Sequence, residues 1–263
     1  MRMMFAVLLL ALSGFSHAAV KTQEIPYQSS DGTRMIGYFA YDDAIKGPRP
    51  GVVVVHEFWG LNDYAKRRAR DLAGLGYSAL AIDMYGDGKN TEHPKDAMAF
   101  MQAVNKDSAV SSARFQAGLD LLKQQAQTDP NKIAAIGYCF GGGVVLNAAR
   151  QGVPLAGVVS FHGALATTTP ATPGSVKAKI LVEHGAQDSM ITADNVATFK
   201  AEMDKAGADY KFVSLAGAKH GFTNPDADRL GHGDHGGPDI GYNKAADEQS
   251  WADMQAFFKK IFG

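Results

Sequence analysis

The lone cysteine of the 263-residue chain, Cys139, sits in the run Gly137-Tyr138-Cys139-Phe140-Gly141-Gly142, between an apolar strand-like segment and a small-residue helix start. Glycines two before and two after the central residue let the backbone turn sharply and present a side chain at a helix N-terminus. A thiol so placed has the N–H groups of the following turn to stabilise negative charge on sulfur. The chemistry this predicts is nucleophilic attack on a carbonyl, with the next backbone N–H helping to cradle the oxyanion. A solitary cysteine is more often an inert buried hydrophobe, so its partners must decide between the two readings.

Two partners stand at the required places. Asp188, in Gly185-Ala-Gln-Asp188, follows the apolar run Lys179 to His184, and His220, in Gly217-Ala-Lys-His220-Gly-Phe222, follows the last such run. Nucleophile, acid and histidine in that chain order match a hydrolytic triad in which imidazole moves the proton and carboxylate orients the ring. Taken singly, each is as readily a turn aspartate or a loop histidine. His56, His162 and His184 also end strand-like runs, but none follows the last one, so they rank as core or supporting groups. In His56-Glu57-Phe58-Trp59-Gly60, the N–H of Phe58 is expected to join that of Phe140 as an oxyanion donor. Glu57 beside that hole is costly unless paired; it is either an extra base for the thiol or an ordinary ion-pairing glutamate. Trp59 and Tyr85 are expected to line the substrate pocket.

Positioning these groups requires strand ends. Extended segments Thr22 to Tyr27 and Arg34 to Tyr41 flank the turn Ser29-Ser30-Asp31-Gly32 and predict an antiparallel hairpin. Short apolar runs then alternate with helical patterns. Strands are predicted at 51–56, 78–83, 133–137, 157–161, 179–184 and 210–215, and helices at 63–75, across 94–126, and at 142–149, 192–206 and 243–262. The rhythm predicts an α/β fold with a mostly parallel sheet of about eight strands and helices on both faces, whose ligands bind beyond the carboxyl ends of the strands.

The segment Met1-Arg2-Met3-Met4, the apolar run Phe5 to Leu12 and the small-residue site Ser16-His17-Ala18 read as a secretory signal over residues 1–18. That leaves 19–263 as a single domain, expected to be exported across the inner membrane to the periplasm, with no stable membrane anchor after cleavage because the apolar run is too short to span a bilayer. One cysteine cannot form an intramolecular disulfide. With 26 basic against 27 acidic residues, the chain has no broad electrostatic footprint for nucleic acid or anionic membrane. A small-molecule ligand is the expected partner, bound by a monomer or small homo-oligomer.

Together, His56-Glu57-Phe58-Trp59-Gly60, Gly137-Tyr138-Cys139-Phe140-Gly141-Gly142, Gly185-Ala-Gln-Asp188 and His220-Gly221-Phe222 resemble the dienelactone hydrolase family across nearly the whole mature chain. The resemblance implies an α/β-hydrolase fold, no cofactor or metal, a triad of Cys139, Asp188 and His220, and hydrolysis of a lactone or related ester. It also implies that Glu57 interacts with the resting thiol and helps to generate the thiolate. Arginines that hold a substrate carboxylate in that family are not found in Gly86-Asp87-Gly88-Lys89 or in Gly221-Phe222-Thr223-Asn224-Pro225, which leaves Lys89 and Arg229 as substitutes. The segment 230–238 holds His232, Asp234 and His235, and reads as a lid or flanking insertion rather than a metal site. A thiol-based redox or peroxide-sensing protein, and a catalytically silent scaffold, remain the alternatives.

Overall fold

The computed structural model describes residues 20–231 and 238–263. The signal read over 1–18 lies outside them, as do His232, Asp234 and His235. The hairpin forms from β1 (Val20–Gln28) and β2 (Arg34–Asp42), and β2 carries it onto the sheet by pairing antiparallel with β4 (Ser78–Ile82). The remaining strands are β3 (Arg49–Val55), β5 (Thr128–Tyr138), β6 (Gly157–Phe161), β7 (Lys179–Gly185) and β8 (Tyr210–Leu215), all parallel to their neighbours. The eight-stranded order is β1-β2-β4-β3-β5-β6-β7-β8, the mostly parallel α/β arrangement expected.

Parallel strands covered on both faces must be apolar on both. β3 shows it: Val52 and Val54 pack into one core, Val53 and Val55 into the other. The first core is closed by α1 (Asp63–Gly74) and α7 (Lys244–Phe262). The second is closed by α2 (Pro94–Asn105), α3 (Ser108–Lys123), α4 (Phe140–Arg150) and α5 (Ala193–Ala206). The helical stretch after Pro94 is broken between α2 and α3, where the Asp107 side chain caps α3 by accepting from Ala109 N at 2.8 Å. β5 begins five residues earlier than its apolar run, because Thr128 and Asp129 pair with Arg49 and Pro50 before the register shifts at Gly51. The short α6 (Ala227–Gly231) was not anticipated from the sequence.

One buried group on β7 opposes folding. Both carboxylate oxygens of Glu183 are buried without a hydrogen-bond partner among the described residues. Burial, aided by Asp253 and opposed by Lys211, pushes its pKa up to about 8. The folded state thus holds this proton more tightly than the unfolded chain does. The resulting penalty is absent below the ordinary carboxyl pKa and grows as pH rises towards about 8. Glu183→Gln, which mimics the protonated form, is expected to raise the melting temperature at pH 9, by stability on the order of 3 kcal/mol, and to change it little at pH 4. Equal effects at both pH values in thermal melts would refute this.

Candidate active site

Cys139 lies between β5 and α4 with φ 52° and ψ −115°. Such a left-handed conformation strains a residue with a Cβ, and surrounding hydrogen bonds must hold it. Cys139 N–H donates to Phe161 O at 3.0 Å and also meets His162 Nδ1 at 3.1 Å, while Gly141 N–H donates to His56 O at 3.1 Å. The flanking glycines are required by backbone crowding. A Cβ on Gly137 would stand 2.0 Å from Gly141 O, and one on Gly141 would stand 2.3 Å from Val55 O. Neither position can bear a side chain while the turn persists.

Asp188 and His220 meet across the ends of β7 and β8. Asp188 Oδ1 accepts from Met190 N at 2.9 Å and Ile191 N at 3.2 Å, which fixes the loop, and Oδ2 faces His220 Nδ1 at 2.8 Å. His220 Nδ1 donates to that carboxylate, so Nε2 is the nitrogen left for proton transfer. Nε2 is buried, and Cys139 is close enough to favour charge on the ring. Burial opposes a charge on His220, but Cys139 and the hydrogen bond to Asp188 outweigh it and push the pKa up to about 10.

Glu57 is fully enclosed, and its Oε2 accepts from Asn224 Nδ2 at 2.7 Å. Asn224 Oδ1 accepts from Asp226 N at 3.0 Å, which orients the amide with its NH2 group towards the carboxylate. Burial raises the Glu57 pKa to about 7, against the opposing pull of Asn224, His220 and Arg68. No hydrogen bond joins Glu57 to Cys139 among the described residues; Asn224 is its partner. The amides of Phe58 and Phe140 donate to no other described group, which leaves both available to an oxyanion. Trp59 is buried against Phe58, with ring centroids 4.1 Å apart, and Tyr85 donates from its hydroxyl to Phe58 O at 3.0 Å. Tyr85 thereby steadies the Phe58 loop.

His162, ranked below His220 as a base, is buried and non-basic. A backbone N–H can only donate, so Nδ1 is the acceptor for Cys139 N–H, and the ring proton sits on Nε2, 2.8 Å from Thr223 Oγ1. Burial and the charges of His220 and Arg68 drive its pKa well below the usual histidine value. Thr223 Oγ1 also shares a 2.5 Å hydrogen bond with Tyr64 OH, and Thr223 O accepts from Arg68 Nη2 at 2.8 Å. Arg68 is anchored by Asp247 on α7. Thr223, Asn224 and Arg68 were not singled out from the sequence. Arg68 could have been, since it stands three residues after Ala65 and four before Leu72, on the buried stripe of α1.

Neither substitute for the carboxylate-binding arginines is held in this site. Arg229 grips Glu92 with two hydrogen bonds of 2.9 Å, and Lys89 is exposed. A cavity of about 680 Å³ meets the site at Phe140 and extends between α3 and α4.

Residues 35–262 match the dienelactone hydrolase family. A solved dienelactone hydrolase-like promiscuous phosphotriesterase from metagenomic libraries is 38% identical, with a TM-score of 0.84, over 93% of this chain and 100% of that one. The solved structure m3DLH is 36% identical, with a TM-score of 0.85 and the same coverage. Protein usf of Aquifex pyrophilus is 29% identical over 88% of this chain and 95% of its own. With its eight-stranded sheet, its glycine-flanked turn and a match spanning nearly the whole described chain, this protein belongs to the dienelactone hydrolase family of α/β-hydrolases, enzymes that cleave esters or lactones.

Proposed function

We propose that the chain is an exported carboxylic ester or lactone hydrolase that uses Cys139 as nucleophile, His220 as proton carrier and Asp188 as orienting acid. The observation that carries this reading is the 2.8 Å contact between His220 Nδ1 and Asp188 Oδ2 beside the strained Cys139 turn, which commits one ring nitrogen and leaves the other for the thiol. His220 holds the proton of the pair, and the Cys139 sulfur adds as thiolate to the ester carbonyl. The amides of Phe58 and Phe140 receive the oxyanion. Collapse expels the alkoxide, which takes the proton from His220 and leaves a thioester on Cys139. His220 then deprotonates water, hydroxide adds to the thioester, and the carboxylic acid departs, leaving the thiolate beside protonated His220. Stopping turnover of a slow aryl ester in acid should give a protein heavier by one acyl group, with the adduct on the peptide that holds Cys139. An adduct on any other residue would overturn the assignment.

Glu57 adds a second ionisation. Glu57 can accept a proton only in its carboxylate form, so its share of the rate should rise with pH through about 7. Glu57→Gln is expected to lower kcat/KM about tenfold above pH 7 and to remove that step from the pH profile. An unchanged profile would assign the step elsewhere. Export rests on the leader read at 1–18, and N-terminal sequencing of the mature protein from periplasm should begin at Ala19.

A further inference from the structure

The 680 Å³ cavity is as large as a small-molecule site, yet no residue lining it is charged. Its floor is apolar, with Met101, Phe115, Phe140 and Val144, and its rim carries hydroxyls and amides such as Ser111 and Asn147. Phe140 joins it to the proposed chemistry: the backbone N–H of that residue is the proposed oxyanion donor next to Cys139, and the same residue lines the cavity. Arg150, whose guanidinium bonds the cavity-lining Asn147, is not available to a ligand. Arg150 donates to Glu202 Oε2 and to Leu165 O, each at 2.8 Å, and to Asn147 Oδ1 at 3.0 Å. Asn147 is therefore left with its NH2 group to offer. A carboxylate entering such a space sheds water and meets no cation, whereas an alkyl chain or a neutral polar group is matched on every wall.

We propose that this cavity receives the uncharged tail of the ester whose carbonyl sits at Cys139, so that the enzyme selects neutral esters over acid-bearing ones. The inference rests on the hydrolase reading and adds the substrate class to it.

The test pairs para-nitrophenyl hexanoate with the para-nitrophenyl monoester of adipic acid, which differ at the chain end in methyl against carboxylate. Wild type should hydrolyse the neutral ester with kcat/KM at least tenfold higher. Ser111→Arg, which places a cation in the cavity without removing any hydrogen bond of the Ser111 side chain seen in the structure, should shrink that ratio at least fivefold. Asn131→Arg, an equal change of net charge at an exposed position away from the cavity, should leave it as in wild type. Binding of the two esters to Cys139→Ala, measured by calorimetry, needs no turnover and should show the same preference. If Ser111→Arg does not fold, that binding comparison decides. Wild-type ratios or Cys139→Ala affinities within twofold, or a ratio unmoved by folded Ser111→Arg, would overturn the proposal. Wild-type turnover in Cys139→Ala would instead overturn the hydrolase mechanism and leave the binding preference to be judged on its own.

Discussion

Cys139→Ala is expected to lower kcat/KM for a para-nitrophenyl ester by about 10⁴-fold or more while leaving a folded protein. On the proposed mechanism this removes the nucleophile and discards the covalent route altogether, and what remains is the modest effect of bound donors and orientation. Folding should survive because the half-buried thiol makes no hydrogen bond that holds the turn; its backbone N–H does that, through Phe161 O and His162 Nδ1, and alanine keeps it. A second consequence can be read without substrate. His220 is pushed up to about 10 with Cys139 as the largest contribution favouring its charge, so the alanine variant should titrate its imidazole at markedly lower pH, visible in the ring signals by NMR. Wild-type esterase rates in purified Cys139→Ala would end the cysteine mechanism. A His220 titration that does not move would show that the thiol and imidazole are not coupled.

The elements that place these groups were legible because each signal was local. The valine run of β3 declares a strand buried on both faces, and the glycines around Cys139 declare a turn with no room for side chains, as the 2.0 Å approach at Gly137 bears out. Asp188 and His220 were legible because chain order and strand ends restrict where such residues can stand, and their 2.8 Å contact follows from the adjacent β7 and β8. The supporting layer was not legible, because it depends on pairs far apart in sequence. Asn224 reaches Glu57 across 167 positions, and Arg68 reaches Thr223 across 155. Nothing in Thr223-Asn224 taken alone distinguishes a buried clamp from a polar loop. The early start of β5 was hidden for a related reason: Thr128 and Asp129 join the ladder through tertiary pairing with Arg49 and Pro50, although Pro130 weakens the local strand signal.

His162 is the member of that hidden layer with the largest expected effect. It has φ 40°, a conformation that costs free energy for a residue with a Cβ, and its ring bridges two loops that must keep register. On one side it accepts from Cys139 N–H; on the other it donates to Thr223, three residues after His220. Its ring also meets the His220 ring edge-on, with centroids 5.1 Å apart. Cys139 and His220 are thereby set against a common support that runs through Thr223 and Arg68 to Asp247 on α7. Without that support, misplacement of either group by an ångström is enough to cost about a hundredfold in rate. His162→Ala is therefore expected to lower kcat about 10²-fold with KM nearly unchanged, since the ring acts through Cys139 and His220. His162→Asn should recover part of the loss, because asparagine tolerates positive φ and its side-chain oxygen can accept from Cys139 N–H. The pH dependence of Cys139 alkylation by iodoacetamide separates positioning from general loosening: it should shift in the alanine variant and return towards wild type in the asparagine one. If both variants lose activity only in proportion to their loss of stability, and alkylation follows the wild-type curve in each, His162 is a packing residue and the support it offers the site is no more than structural.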